Sequence, residues 1–120
     1  RKRKRVLVVE DNEMFALLVE QAFRESLLIH SEFYETPNQF LLNIEDTPDI
    51  YVLDYNLNDE LTGKDLLLKI KEVNPKAVII ILSAQKNVEV AVDLMYSGAT
   101  YYLVKTRENL RRLVKIIEGL

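Results

Sequence analysis

The chain has no cysteine and one histidine, no long apolar run, and no excess of positive charge. Without cysteine there are no disulfides and no thiolate metal sites. His30 stands alone, which excludes a histidine-rich zinc site and a His–His catalytic pair. No apolar stretch approaches the roughly 18 residues that span a bilayer. No secretory leader is visible, because Arg1-Lys2-Arg3-Lys4-Arg5 is followed by only four apolar residues. A cytoplasmic protein without a membrane partner is expected. The net charge of −3 argues against a general nucleic-acid binder, so no direct nucleic-acid contact is expected. The basic residues at 1 to 5 have two readings: a phosphate-contacting arm or localisation tag, or a solvated terminus leading into the first strand.

What is present is an ordinary globular composition, 48% hydrophobic and 29% charged. The length of 120 residues suits one domain spanning 1–120. Short apolar runs predict buried strands at Val6–Val9, Ile50–Leu53, Ala77–Leu82 and Tyr101–Val104, with a weaker alternating strand at Ile29–Tyr34. Ala77–Leu82 is the most apolar run and is expected to be a central strand. Helical spacing links Phe15, Leu18, Val19, Ala22 and Phe23, then Leu66, Leu67 and Ile70, then Val88–Met95, and finally Leu110, Leu113, Val114 and Ile117. Thr36-Pro37 is a cap followed by proline at the first helical position, and that helix is expected to run through Phe40 and Leu41 to Ile44. Strand and helix thus alternate five times. The expected fold is α/β: a doubly wound five-stranded parallel sheet with helices on both faces. Phe15, Phe23, Phe33 and Phe40 are expected in the core, and His30 on the surface.

Polar residues with chemical potential stand at four of the five strand ends. Glu10 and Asp11 follow the first strand, Asp54 ends the third, Ser83 the fourth and Lys105 the fifth. In a parallel sheet these ends meet at one edge, where open α/β sheets bind ligands. Three adjacent carboxylates repel one another, and a hard divalent cation such as Mg²⁺ relieves the repulsion. Such a cation also offsets charge on a phosphoryl group in transfer. Lys105 can add a point charge, Ser83 a hydroxyl donor, and Asp54 can act as the nucleophile of an acyl phosphate. Taken singly, each residue has a plainer reading: Glu10 and Asp11 as a helix cap, Ser83 as a polar strand end, Lys105 as a solvated lysine, Tyr102 as core.

Val8-Val9-Glu10-Asp11-Asn12, Val52-Leu53-Asp54, Leu82-Ser83-Ala84 and Tyr102-Leu103-Val104-Lys105, in this order and spacing, resemble the four signature segments of bacterial response-regulator receiver domains. The resemblance covers essentially the whole chain. It implies the flavodoxin-like strand order 2-1-3-4-5 and a signalling switch rather than an enzyme acting on an outside substrate. It also implies Asp54 as phosphoacceptor, with Mg²⁺ held by Asp11, Asp54, the Asn56 backbone carbonyl and, through water, Glu10. Ser83 and Lys105 are then expected on the phosphoryl oxygens. Tyr102 is the switch aromatic, turning from an exposed to a buried position. The implied partners are a sensor histidine kinase or phosphotransfer protein, and an output domain or second receiver. The latter docks on the face made by the fourth helix (from Asn87), the fifth strand and the fifth helix (from Glu108).

Three features depart from the family pattern. No proline follows Asp54 within Tyr55-Asn56-Leu57-Asn58, the connection to Gly63 is about one residue longer, and Thr106 replaces the proline after Lys105. A cis bond before a non-proline residue costs about 2.5–4 kcal/mol, so a trans Lys105–Thr106 bond is expected. Competing readings are a non-phosphorylated pseudo-receiver, which the intact acid cluster argues against, and an aspartyl-nucleophile phosphatase. The phosphatase would need a second aspartate two residues after its nucleophile. A flavodoxin-like cofactor protein would need a phosphate-binding loop where Glu10-Asp11 stand.

Overall fold

A computed structural model describes residues 3–58 and 60–120. Among them are five strands and five helices in strict alternation: β1 (Lys4–Val9), α1 (Glu13–Arg24), β2 (Ile29–Tyr34), α2 (Pro37–Leu41), β3 (Ile50–Asp54), α3 (Gly63–Val73), β4 (Val78–Ser83), α4 (Val88–Tyr96), β5 (Tyr101–Val104) and α5 (Arg107–Gly119). All pairings are parallel, and the strand order is β2-β1-β3-β4-β5.

Side chains alternate across each strand, and here both faces are covered. Val6, Val8, Ile50, Val52, Ile80 and Leu82 pack with α1 and α5 through Val19, Phe23, Leu113 and Ile117. Leu7, Val9, Tyr51, Leu53, Ile79 and Ile81 pack with α2, α3 and α4 through Phe40, Leu66, Leu67, Ile70 and Leu94. Burial on both sides explains why these strands read as continuous apolar runs. β4 is interior, but the middle strand is β3, buried along its whole length. β2 lies at an edge with only Ile29 buried. Phe23 and Phe40 are core; Phe15 and Phe33 pack against it only partly buried.

α2 is shorter than its sequence suggests. After Leu41 the chain tightens, with Asn43 N–H donating to Phe40 O and Ile44 N–H to Leu41 O, so Ile44 reaches the core from a turn. Every helix starts the same way: the side chains of Asn12, Thr36, Thr62, Asn87 and Thr106 accept the backbone N–H three residues on. Each cap stabilises its helix by about 1 kcal/mol. Because each helix follows a strand, all five caps line the carboxyl edge of the sheet.

At the opposite edge the basic terminus is tied down. The Arg5 guanidinium donates to Glu32 and to both oxygens of Asp46, and its backbone N–H to Asp49. Arg3 meets exposed His30 at 3.2 Å. Arg1 and Lys2, part of the expected arm, lie outside the described residues. No helix among the described residues is long and apolar enough to cross a membrane.

Candidate functional site

Strand register decides what meets at the carboxyl edge. Val9 pairs with Leu53, Asp54 with Leu82, and Ser83 with Val104, so Glu10 and Asp54 leave the sheet level with each other, Ser83 one residue further on and Lys105 two, all at the carboxyl edge. Among the described residues, the buried polar side chains are Glu10, Asp54 and Ser83, and all three lie here. Burying polar or charged groups is costly unless they are paired, and their concentration at one edge marks a functional site.

Lys105 Nζ lies 2.8 Å from Glu10 Oε1 and 3.2 Å from Asp54 Oδ1. Backbone N–H groups hold the carboxylates. Asn12 donates to Glu10 Oε2 at 3.1 Å, Asn56 to Asp54 Oδ1 at 3.0 Å, and Asn58 to Asp11 Oδ2 at 2.7 Å. Glu10, Asp11 and Asp54 each present an oxygen within 4.8 Å of the other two. Burial pushes the Asp54 carboxyl up to about 8; the hydrogen bond and charge of Glu10 add to the rise, and Lys105 opposes it. An oxygen-only donor set whose members repel one another fits a hard divalent cation. The cluster opens into a hollow of about 590 Å³ lined by Asp11, Asp54, Asn56, Asn58, Ala84 and Lys105.

Ser83 is close in the sheet but turned to its own loop. Its hydroxyl donates to Gln85 O at 3.0 Å and accepts from Gln85 N–H at 3.3 Å. The Tyr102 hydroxyl donates to the same Gln85 oxygen at 2.9 Å. The Tyr102 ring is half-buried against the α2–α4 core cluster, not exposed. Glu10 and Asp11 do not cap α1: Asn12 does, accepting from Phe15 N–H at 2.9 Å, because the cap must directly precede the first helical residue. The Lys105–Thr106 bond is trans, as no described peptide bond is cis. Thr106 Oγ1 caps α5 by accepting from Asn109 N–H at 3.0 Å.

Three contributors escape a reading of the sequence. Phe15 places its ring centroid 4.7 Å from Lys105 Nζ; its helical spacing says only that it packs. Asn58 acts through its backbone, which carries no residue signature. At Gly63 a Cβ would stand 2.6 Å from Asp54 O and 2.8 Å from Tyr55 Cα, so the start of α3 lies directly on the Asp54 backbone. Within the connection between them Leu57 is buried, and Thr62 and Asp65 close it with a capping box.

A family model described as the response regulator receiver domain matches residues 6–118. The regulatory protein LuxO of Vibrio cholerae is 36% identical over 69 residues, 58% of this chain and 15% of that protein. The DNA-binding transcriptional regulator NtrC of Proteus hauseri is 35% identical over 103 residues, 83% of this chain and 21% of that protein. The chain therefore spans only about 15–21% of the length of these curated relatives. Among solved structures, the Francisella response regulator 1452 receiver domain superposes with a TM-score of 0.83 at 27% identity, covering 98% of each chain.

Proposed function

Because this chain belongs to the response regulator receiver family of two-component signalling, we propose that it works as a phosphorylation switch with Asp54 as the acceptor. The observation that carries this reading is the convergence of buried Asp54 and Glu10 on Lys105, with Asp11 alongside. In the proposed step an Asp54 carboxylate oxygen attacks the phosphorus of a phosphohistidine on a sensor kinase or phosphotransfer protein. The new O–P bond forms as the P–N bond breaks, and the imidazole leaves with its electron pair and takes up a proton. Asp54 must be ionised to attack. Lys105, 3.2 Å away, favours that form and then offers its charge to a phosphoryl oxygen.

Mg²⁺ is the proposed cofactor, supplying positive charge against both the carboxylates and the transferring group. Asp11, Asp54 and the Asn56 carbonyl are its proposed ligands, with Glu10 acting through water. The Ser83 hydroxyl, released from Gln85, is the proposed donor to a second phosphoryl oxygen. Tyr102 then loses or shifts its shared contact, carrying the change to the surface of α4, β5 and α5. That surface holds a groove of about 920 Å³ and exposes Val88, Val92, Met95 and Tyr96, which suits docking of an output domain or second receiver. No outside substrate is turned over; the chain promotes only its own phosphorylation and dephosphorylation.

Intact mass after incubation with acetyl phosphate and Mg²⁺ tests the reading. One added phosphoryl group, absent with EDTA and absent in Asp54→Asn, is the expected result. Label mapped to another residue overturns it.

A further inference from the structure

We propose that Phe15 is a positioning residue for Lys105, holding its ammonium in register while the charged partners of that ammonium change. The inference rests on the phosphoacceptor reading above.

Lys105 is the most adjustable member of the site. It leaves the end of β5, an edge strand, and must reach past β4 to Asp54 at the end of β3. A lysine side chain is a point charge on a flexible four-carbon stem, so its head is only as well placed as its contacts make it. Three contacts are present: Glu10 Oε1, Asp54 Oδ1 and the face of Phe15. The two carboxylates are the groups whose charge is redistributed when a divalent cation and a phosphoryl group arrive. The ring is the contact that persists through that change, because it neither ligates nor titrates. A cation over an aromatic face is attracted by the ring quadrupole, more strongly where water is thinned, and Lys105 is only 13% exposed.

The ring also stands on a rigid support. Phe15 is the third residue of α1, and its N–H is the one received by the cap Asn12 Oδ1. Asn12 in turn donates its N–H to Glu10 Oε2. Ring, cap and acid are thereby coupled within six residues of chain, which fixes the flank of the ammonium relative to Glu10. An aliphatic residue at 15 fills the same space but lacks the quadrupole, so packing and positioning are separable.

The test is a double-mutant cycle on Mg²⁺–beryllofluoride binding, with Phe15→Leu, Lys105→Ala and both, joined to proton NMR of the Lys105 ε-methylene. In the wild type the ε-methylene protons are expected upfield by ring-current shielding. The shift is lost in Phe15→Leu and kept in Phe15→Tyr. Phe15→Leu should weaken beryllofluoride binding about two- to fivefold, the scale of a partly desolvated cation–π contact. It should have no further effect once Lys105 is Ala, and Phe15→Tyr should restore binding. An equal loss from Phe15→Leu in both lysine backgrounds, or an unshielded ε-methylene, overturns the positioning role while leaving the acceptor site standing. A wild type that binds no beryllofluoride overturns the acceptor reading and this inference together.

Discussion

Ser83 and Tyr102, on adjacent strands, donate their hydroxyls to one acceptor, the backbone oxygen of Gln85, at 3.0 and 2.9 Å. A shared acceptor couples the two donors: withdrawing one changes the charge and position of the group that holds the other. If phosphoryl binding draws Ser83 away, the Gln85 loop is free to move and the Tyr102 ring can follow. Beryllofluoride with Mg²⁺ is therefore expected to shift the ring resonances of Tyr102 and the amide of Gln85 in the wild type. In Ser83→Ala the Tyr102 response should shrink while the Asp54 loop still responds. An undiminished Tyr102 response in Ser83→Ala would refute the coupling.

The raised Asp54 carboxyl has a consequence for stability in EDTA. Its value in the fold, about 8, lies above its ordinary 3.8, so the folded state binds its proton more tightly than the unfolded chain does. The stability this confers is complete below the unfolded value and is lost as pH rises through about 8. Metal-free protein should thus lose melting temperature between about pH 4 and pH 8 through this group. Asp54→Asn, which cannot ionise, should flatten that part of the profile and melt several degrees higher at pH 8. Added Mg²⁺ should stabilise the wild type more at pH 8 than at pH 5. Thermal melts across pH with EDTA or Mg²⁺ measure all three; parallel profiles for the two proteins would contradict the assignment.

Asp11 and Glu10 should differ as metal ligands. Both Glu10 oxygens are already engaged, one by Lys105 and one by Asn12 N–H. Asp11 has one oxygen on Asn58 N–H and lines the hollow. Asp11→Ala is expected to reduce Mg²⁺ affinity about tenfold or more, and Glu10→Gln less. Asp11→Ala should also speed hydrogen exchange at the Asn58 amide. Calorimetric titration and amide exchange check these outcomes; equal affinities for wild type and Asp11→Ala would exclude Asp11 as a ligand.

Gly63→Ala tests the close approach of α3 to the end of β3 at Asp54. The new Cβ would meet the Asp54 carbonyl at 2.6 Å and Tyr55 Cα at 2.8 Å, both backbone atoms that cannot rotate aside. A loss of about 1–3 kcal/mol is expected as α3 is forced outward, with weaker Mg²⁺ binding because the Asp54 backbone shifts with it. Urea denaturation and metal titration would show both; unchanged stability would mean that the helix start yields without cost.

The alternation of strands and helices was legible in local pattern. Val6–Val9, Ile50–Leu53 and Val78–Leu82 are apolar on both faces because the sheet is covered on both, and that covering follows from the alternation itself. The acids, Ser83 and Lys105 could be assigned to one edge, since parallel strands bring their carboxyl ends together. The helix start at Thr36 was visible as well, as a cap followed by proline at the first helical position. What a chain read residue by residue does not contain is distance between strands. The register that sets Asp54 opposite Leu82 and Ser83 opposite Val104 decides that Lys105 reaches both Glu10 and Asp54, that Ser83 and Tyr102 find the same carbonyl, and that Phe15 lies under an ammonium 90 residues along the chain. Periodicity records which side of its own element a residue faces, whereas these contacts depend on how separate elements are held against one another, and only the packed sheet determines that.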